Sequence, residues 1–240
     1  MEVIRLSEVS DVFFDPMYLV FVLPGLALSI WASMRVKSTF NAYSSVRSVR
    51  GFTGAAAAQE LLRGAGITDV RIVRSHGVLS DHYNPMTKTL ALSEPVYGSD
   101  SIAAVGVATH EAGHAIQHAR QYAPLWVRSA LVPTANIGSS IGYVVMVIGL
   151  FLASTNMVLV GAVLFSAVLL FQIVTLPVEF NASNRAKALV VEHGIVTLRE
   201  REGVDKVLNA AALTYVAAAV STLLTLFYFL WRAGLIGGRR

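Results

Sequence analysis

The chain has 240 residues, of which 55% are hydrophobic and 14% charged; an ordinary soluble domain carries about 25% charged residues, so much of this apolar surface must face something other than water. There is no cysteine, which excludes a disulfide framework, thiolate metal ligands and a cysteine nucleophile, and leaves any catalysis to His, carboxylate or hydroxyl groups. The net charge of +4 comes from 19 basic residues scattered among apolar runs rather than gathered in one block, which reads as a membrane-topology signal and argues against a nucleic-acid partner.

Residues 1–34 form an N-terminal segment and a first span. The run Met17–Met34 is uncharged and long enough to cross about 30 Å of hydrocarbon. Glu2, Glu8, Asp11 and Asp15 against Arg5 before it are the reverse of a signal peptide's basic start, so the run is expected to be a retained anchor. Residues 35–130 read as a small α+β domain. Thr53 can cap a helix through Ala55–Arg63, closed by Gly64 and Gly66. Residues 69–80 and 89–93 alternate apolar and polar around the turn-rich 81–88, which suggests a β-hairpin whose Thr89–Ser93 strand offers an edge to an extended substrate. Ser101 then precedes a long helix.

Residues 131–178 are expected to form a helical hairpin, with spans at about 131–153 and 157–178 joined by Ser154, Thr155 and Asn156. Pro177 is expected to end the second of these and open a new helix, placing Glu179 in its first turn, where the helix dipole favours an anion. Residues 179–206 return to the polar side, and residues 207–240 hold a fourth span and a tail. Residues 35–130 hold ten basic residues and 179–206 five, which places that side in the cytoplasm. The outlying charges Arg232, Arg239 and Arg240 would fall on the opposite side, so a re-entrant or surface-lying helix is the alternative to a fourth span.

The long helix contains His110-Glu111-Ala112-Gly113-His114. At this i, i+4 spacing two imidazoles share one helical face and can reach one zinc at about 2.0–2.1 Å, with Glu111 beside a water in the open position. Glu111 can then serve as the base of a zinc-activated hydrolysis. The bland alternative is an amphipathic helix that binds no metal. Two histidines leave a catalytic zinc one protein ligand short, and Glu179, His118, Asp81, His82, His76 and His193 are candidates. Glu179 is the best placed, because two membrane crossings return the chain to the same face and a carboxylate beside "TLPV" and Phe180 is poorly solvated unless partnered.

His118 lies roughly 80° around the helix from His110, which favours a supporting or core role over ligation. Asp81, His82 and Tyr83 at the hairpin tip could polarise a substrate carbonyl or serve only the turn. Arg185 could stabilise an oxyanion or face anionic lipid. Gly138-Ser139-Ser140-Ile141-Gly142 matches the serine-hydrolase G-x-S-x-G, but no histidine lies in any span, and the same glycines permit close helix packing in lipid. Asn181-Ala182-Ser183 matches a glycosylation acceptor and is discounted on a cytoplasmic face.

The stretches "LSDHYNPMTKTLALSEPVY", "SIAAVGVATHEAGHAIQHA", "LVPTANIGSS" and "FQIVTLPVEFNASNRA", in order over most of residues 50–190, resemble the YugP-like bacterial membrane-embedded neutral zinc metallopeptidases. The arrangement is also similar to the HtpX-like and CAAX-processing membrane proteases. The resemblance implies a multi-pass α-helical membrane protein with a small α+β zinc-metallopeptidase domain of gluzincin-like type. It implies zinc as cofactor, His110, His114 and Glu179 as ligands and Glu111 as base. Asn181 departs from an expected Asp, keeping hydrogen bonding without charge, so Asn181, Arg185, His118 and His82 stand as candidate supporting groups. The expected activity is endopeptidase cleavage of membrane or membrane-proximal proteins at the bacterial inner membrane, with the site on the cytoplasmic side and Tyr122 and Trp126 near the headgroups. A site-2-type protease would need a metal-binding Asp in a later span, and the second to fourth spans contain none. A non-catalytic scaffold or substrate-binding protein that retains the fold is the rival from another class.

Overall fold

The computed structural model describes residues 15–77 and 79–237. Arg5, Glu2, Glu8, Asp11, Arg239 and Arg240, which entered the topology argument, lie outside the described residues. The elements run α1 (Pro16–Ser44), α2 (Gly54–Gly64), β1 (Arg71–Ser75), β2 (His82–Asn84), β3 (Thr89–Ser93), α3 (Glu94–Tyr97), α4 (Ile102–Ala119), α5 (Ala123–Ile137), a π-turn at Gly138–Gly142, α6 (Tyr143–Phe151), α7 (Thr155–Glu192) and α8 (Leu198–Arg232). The chain divides into two compact units.

The first unit takes the chain up to Trp31, Val127–Thr175 and the chain from Tyr215 on. Among the described residues four helical stretches are long and apolar enough to cross a membrane: Pro16–Ser44, Ala123–Phe151, Thr155–Glu192 and Leu198–Arg232. Val160, Val163 and Ile173 on α7 are all more than half exposed, a surface that suits hydrocarbon rather than water. A Cβ on Gly142 would come within 2.7 Å of the Phe165 amide nitrogen, and one on Gly138 would strike the Leu164 carbonyl. The G-S-S-I-G run is thus a close-approach surface against α7, while Ser139 is exposed and donates its hydroxyl to Asn136 O. Arg232 ion-pairs with Asp15 at 3.1 Å, and the Tyr228 hydroxyl donates to the same carboxylate at 3.0 Å. One of the outlying tail charges is thereby matched.

The second unit comprises Ala32–Trp126 and Leu176–Thr214. Thr53 accepts from Ala56 N and Ser101 from Ala104 N, so both expected caps start their helices. The core is built from Leu61 and Leu62 of α2, Leu90 and Leu92 of β3, Val105 and Ala108 of α4, with Val190 and Leu208 from the two long helices.

The expected hairpin is corrected. The strand 71–75 pairs in parallel with β3, β2 pairs with β3 antiparallel, and the order is β1-β3-β2. The hairpin is β2–β3, and its turn is held by Asn84, whose side-chain oxygen accepts from Met86 N and Thr87 N. The Thr89–Ser93 strand is therefore central, with both edges paired, and cannot offer an edge to substrate. Its alternation is misleading because Ala91 and Ser93 are small enough to be buried along with Leu90 and Leu92, the pattern of a strand covered on both faces.

Pro177 also behaves otherwise than expected. Helix α7 continues through it to Glu192, so Glu179 stands in mid-helix and owes nothing to a helix N-terminus. The ring removes one N–H bond, which membrane helices tolerate where neighbouring groups re-satisfy the backbone.

Candidate metal centre

Helix α4 and the C-terminal part of α7, both within the second unit, face each other at a glycine. A Cβ on Gly113 would lie 2.7 Å from the Ala182 backbone carbonyl, nearer than such contacts allow. The glycine inside H-E-A-G-H thus lets the two backbones approach until His110, His114 and Glu179 meet. Their ligand atoms lie within 4.8 Å of one another. Glu179 Oε2 is 3.2 Å from His110 Nε2 and 3.5 Å from His114 Nε2. Two ligands at about 2.0–2.1 Å from a tetrahedral zinc stand roughly 3.3 Å apart, so the donor set and its spacing suit that ion. Glu179 is 2% and His114 8% exposed, and a carboxylate so buried between two imidazoles is the arrangement a cation stabilises.

The remaining ring nitrogens are fixed from behind. Ser183 Oγ lies 3.1 Å from His110 Nδ1. Gln117, fully buried, gives its amide N–H groups to Val178 O at 2.8 Å and to Asn181 Oδ1 at 3.0 Å. Arg185 Nε also donates to Asn181 Oδ1, at 2.8 Å. A backbone carbonyl can only accept and a guanidinium can only donate, so these two anchors dictate which way both amides point. The carbonyl of Gln117 is left facing His114 Nδ1 at 3.0 Å. In its neutral form His114 therefore carries its proton on Nδ1 and leaves the Nε2 lone pair to hold a metal, while the hydrogen bond from Nε2 to Glu179 belongs to the charged form, protonated on both nitrogens. Burial disfavours charge on His114, but the Glu179 hydrogen bond and the Glu111 and Glu179 charges outweigh it and hold its pKa above the ordinary value. A metal bound there would compete with the proton, and rising pH would favour the metal.

Glu111 sits half-buried on α4 between the two histidines. Of the other candidates, His118 is outside the cluster: its Nδ1 is 2.8 Å from the Tyr83 hydroxyl, and its ring meets Trp126 edge-on at 5.3 Å. Asp81 accepts from Ser93 N and Oγ, tying β2 to the end of β3. His82 is exposed and bonded to Ser80 O, His76 is exposed, and His193 packs over Gly64. Arg185 and Asn181 belong to the chain of bonds behind His114. Gln117 and Ser183, which sequence reasoning did not single out, are the immediate partners of the two imidazoles. Their one sequence signal is spacing, three residues after His114 and four after Glu179.

Gln117→Leu keeps the volume and removes the acceptor. Its zinc affinity, measured by chelator competition on the folded chain, is expected to fall about 10–100-fold, the usual cost of losing such a partner; an unchanged affinity would show that packing alone orients His114.

A family model described as "Putative neutral zinc metallopeptidase" matches residues 18–234. The chain is 45% identical over 213 residues to the "Putative membrane protease YugP" of Bacillus subtilis (strain 168), which covers 89% of this chain and 95% of that relative. No solved structure matches. The match runs from the first span to the end of α8 and takes in both helices that supply the His, His, Glu cluster. The chain belongs to the neutral zinc metallopeptidase family.

Proposed function

We propose that the protein is a membrane-embedded zinc-dependent endopeptidase of gluzincin type, with His110, His114 and Glu179 as ligands and Glu111 as general base. The observation that carries this reading is the convergence of two Nε2 atoms and one buried carboxylate oxygen at 3.2 and 3.5 Å, with Glu111 on the same helix. His110, His114 and Glu179 would hold the zinc, which when bound would supply a Lewis acid for a peptide carbonyl and lower the pKa of a water to about 7. Glu111 accepts a proton from the attacking water and returns it to the leaving amine as the carbon–nitrogen bond breaks. Gln117 and Ser183 hold the imidazoles still through the cycle.

The proposed substrates are membrane or membrane-proximal proteins, cleaved on the cytoplasmic side. Two features support this: Glu179 lies on a helix whose preceding turns are apolar enough to cross a bilayer, and the basic residues concentrate in 35–130 and 179–206.

The test uses the full chain in nanodiscs with one fluorogenic peptide, either free or tethered to lipid. Chelation is expected to reduce cleavage to background and added zinc to restore it. The tethered peptide is expected to be cleaved about 10-fold or more faster at equal bulk concentration, through its higher effective concentration. Cleavage that survives complete metal removal overturns the metallopeptidase reading, and equal rates for both peptides overturn the membrane-proximal part.

A further inference from the structure

Beyond His114, the next turn of α4 opens on a second feature. A cleft of about 350 Å³ lies between the C-terminal turn of α4 and the sheet, within the size range of ligand pockets. Ile67, Val70 and Ala115 supply apolar wall, and Tyr83, His118 and Trp126 supply ring surface. The Tyr83 hydroxyl and His118 Nδ1 are bonded to each other at 2.8 Å. Burial first, and Asp69 second, push the Tyr83 phenol up to about 12, so it stays uncharged. At the rim Lys88 is paired with Asp69. That pairing leaves neither charge as a dedicated receptor for an ionic side chain.

We propose that this cleft receives an aromatic or large aliphatic side chain of the peptide substrate, one or two residues from the bond that is cut; the proposal rests on the peptidase reading above. His118 follows His114 by one helical turn, a rise of about 6 Å. An extended peptide covers that distance in two residues at about 3.3–3.6 Å each. The apolar walls stabilise a large side chain by removing it from water, and the ring faces add edge-to-face contacts. A carboxylate or ammonium would lose its hydration there and find the rim charges already matched.

The test separates binding from chemistry. Capped tetrapeptides carrying Phe, Leu, Ala or Glu at each position in turn are titrated by calorimetry into the zinc-loaded Glu111→Gln full chain in detergent, with heats into empty micelles subtracted. At one position, Phe and Leu peptides are expected to bind about 10-fold or more tighter than Ala and Glu peptides, as burial of a large apolar side chain provides. Ala119, exposed at the rim of the cleft, allows it to be filled with little disturbance to the core. Ala119→Trp on the same background is expected to bring the four peptides within about 3-fold while zinc content stays the same, and Ala119→Ser is expected to keep the preference. A flat series, or a preference that survives Ala119→Trp, overturns the pocket. A preference that behaves as expected in the Glu111→Gln background, while the unaltered zinc-loaded chain cleaves none of these peptides, overturns the peptidase reading while leaving the pocket standing.

Discussion

Replacing Glu111 by Gln is expected to lower kcat/KM by about 10²–10⁴-fold, the range that a positioned general base contributes, while zinc content and melting temperature stay at their unaltered values. The amide matches the carboxylate in shape, so the half-buried position between His110 and His114 keeps its packing. What it loses is the ability to take a proton from water. The contrast between activity and zinc content is the informative part, since a variant that lost both would report a collapsed site rather than a missing base. Steady-state kinetics and metal analysis on the same preparation check it. Activity within a few-fold of the unaltered chain would move the base to another residue and remove Glu111 from the mechanism.

The second large effect is expected at Glu179. Glu179→Ala removes one of the three donors, and its zinc affinity is expected to fall by more than about 100-fold, beyond the loss seen when only a residue behind a ligand is removed. Peptide cleavage is expected to vanish with the metal. Glu179→Gln separates charge from packing: it fills the same buried space but offers a neutral oxygen, so it is expected to stay folded and still lose most of its zinc. Zinc per chain, measured at fixed free zinc with circular dichroism to follow the fold, decides between these outcomes. Equal zinc in all three chains would mean that the cluster of His110, His114 and Glu179 is a hydrogen-bonded core group and not a metal site.

These effects fall on residues with unequal visibility in the sequence. The pairing of His110 with His114 is a property of one helix turn, readable wherever the i, i+4 spacing and a cap such as Ser101 occur. The apolar runs are readable for a similar reason, because the length needed to cross hydrocarbon is set by the rise of a helix and not by its neighbours. Glu179 was reachable by counting crossings. Its local setting differs from the first helical turn that Pro177 suggests, since α7 runs unbroken through that proline.

The relay behind His114 joins residues 61 and 64 positions apart, and the Ser183–His110 contact spans 73; no local pattern encodes such distances. The parallel pairing of β1 with β3 is of the same kind. Alternation shows which residues can be covered on one face, but which strand is central depends on what packs on both sides of it.

From the sequence alone came the membrane class, both helix caps and the helix that carries His110 and His114, because each depends on interactions within a few residues or on the fixed thickness of a bilayer. The tertiary structure alone decided the strand order, the unbroken α7, the approach at Gly113 and the tautomer of His114. Each of those depends on which backbone comes to lie against which, and that is settled by burial of the common core rather than by any one segment.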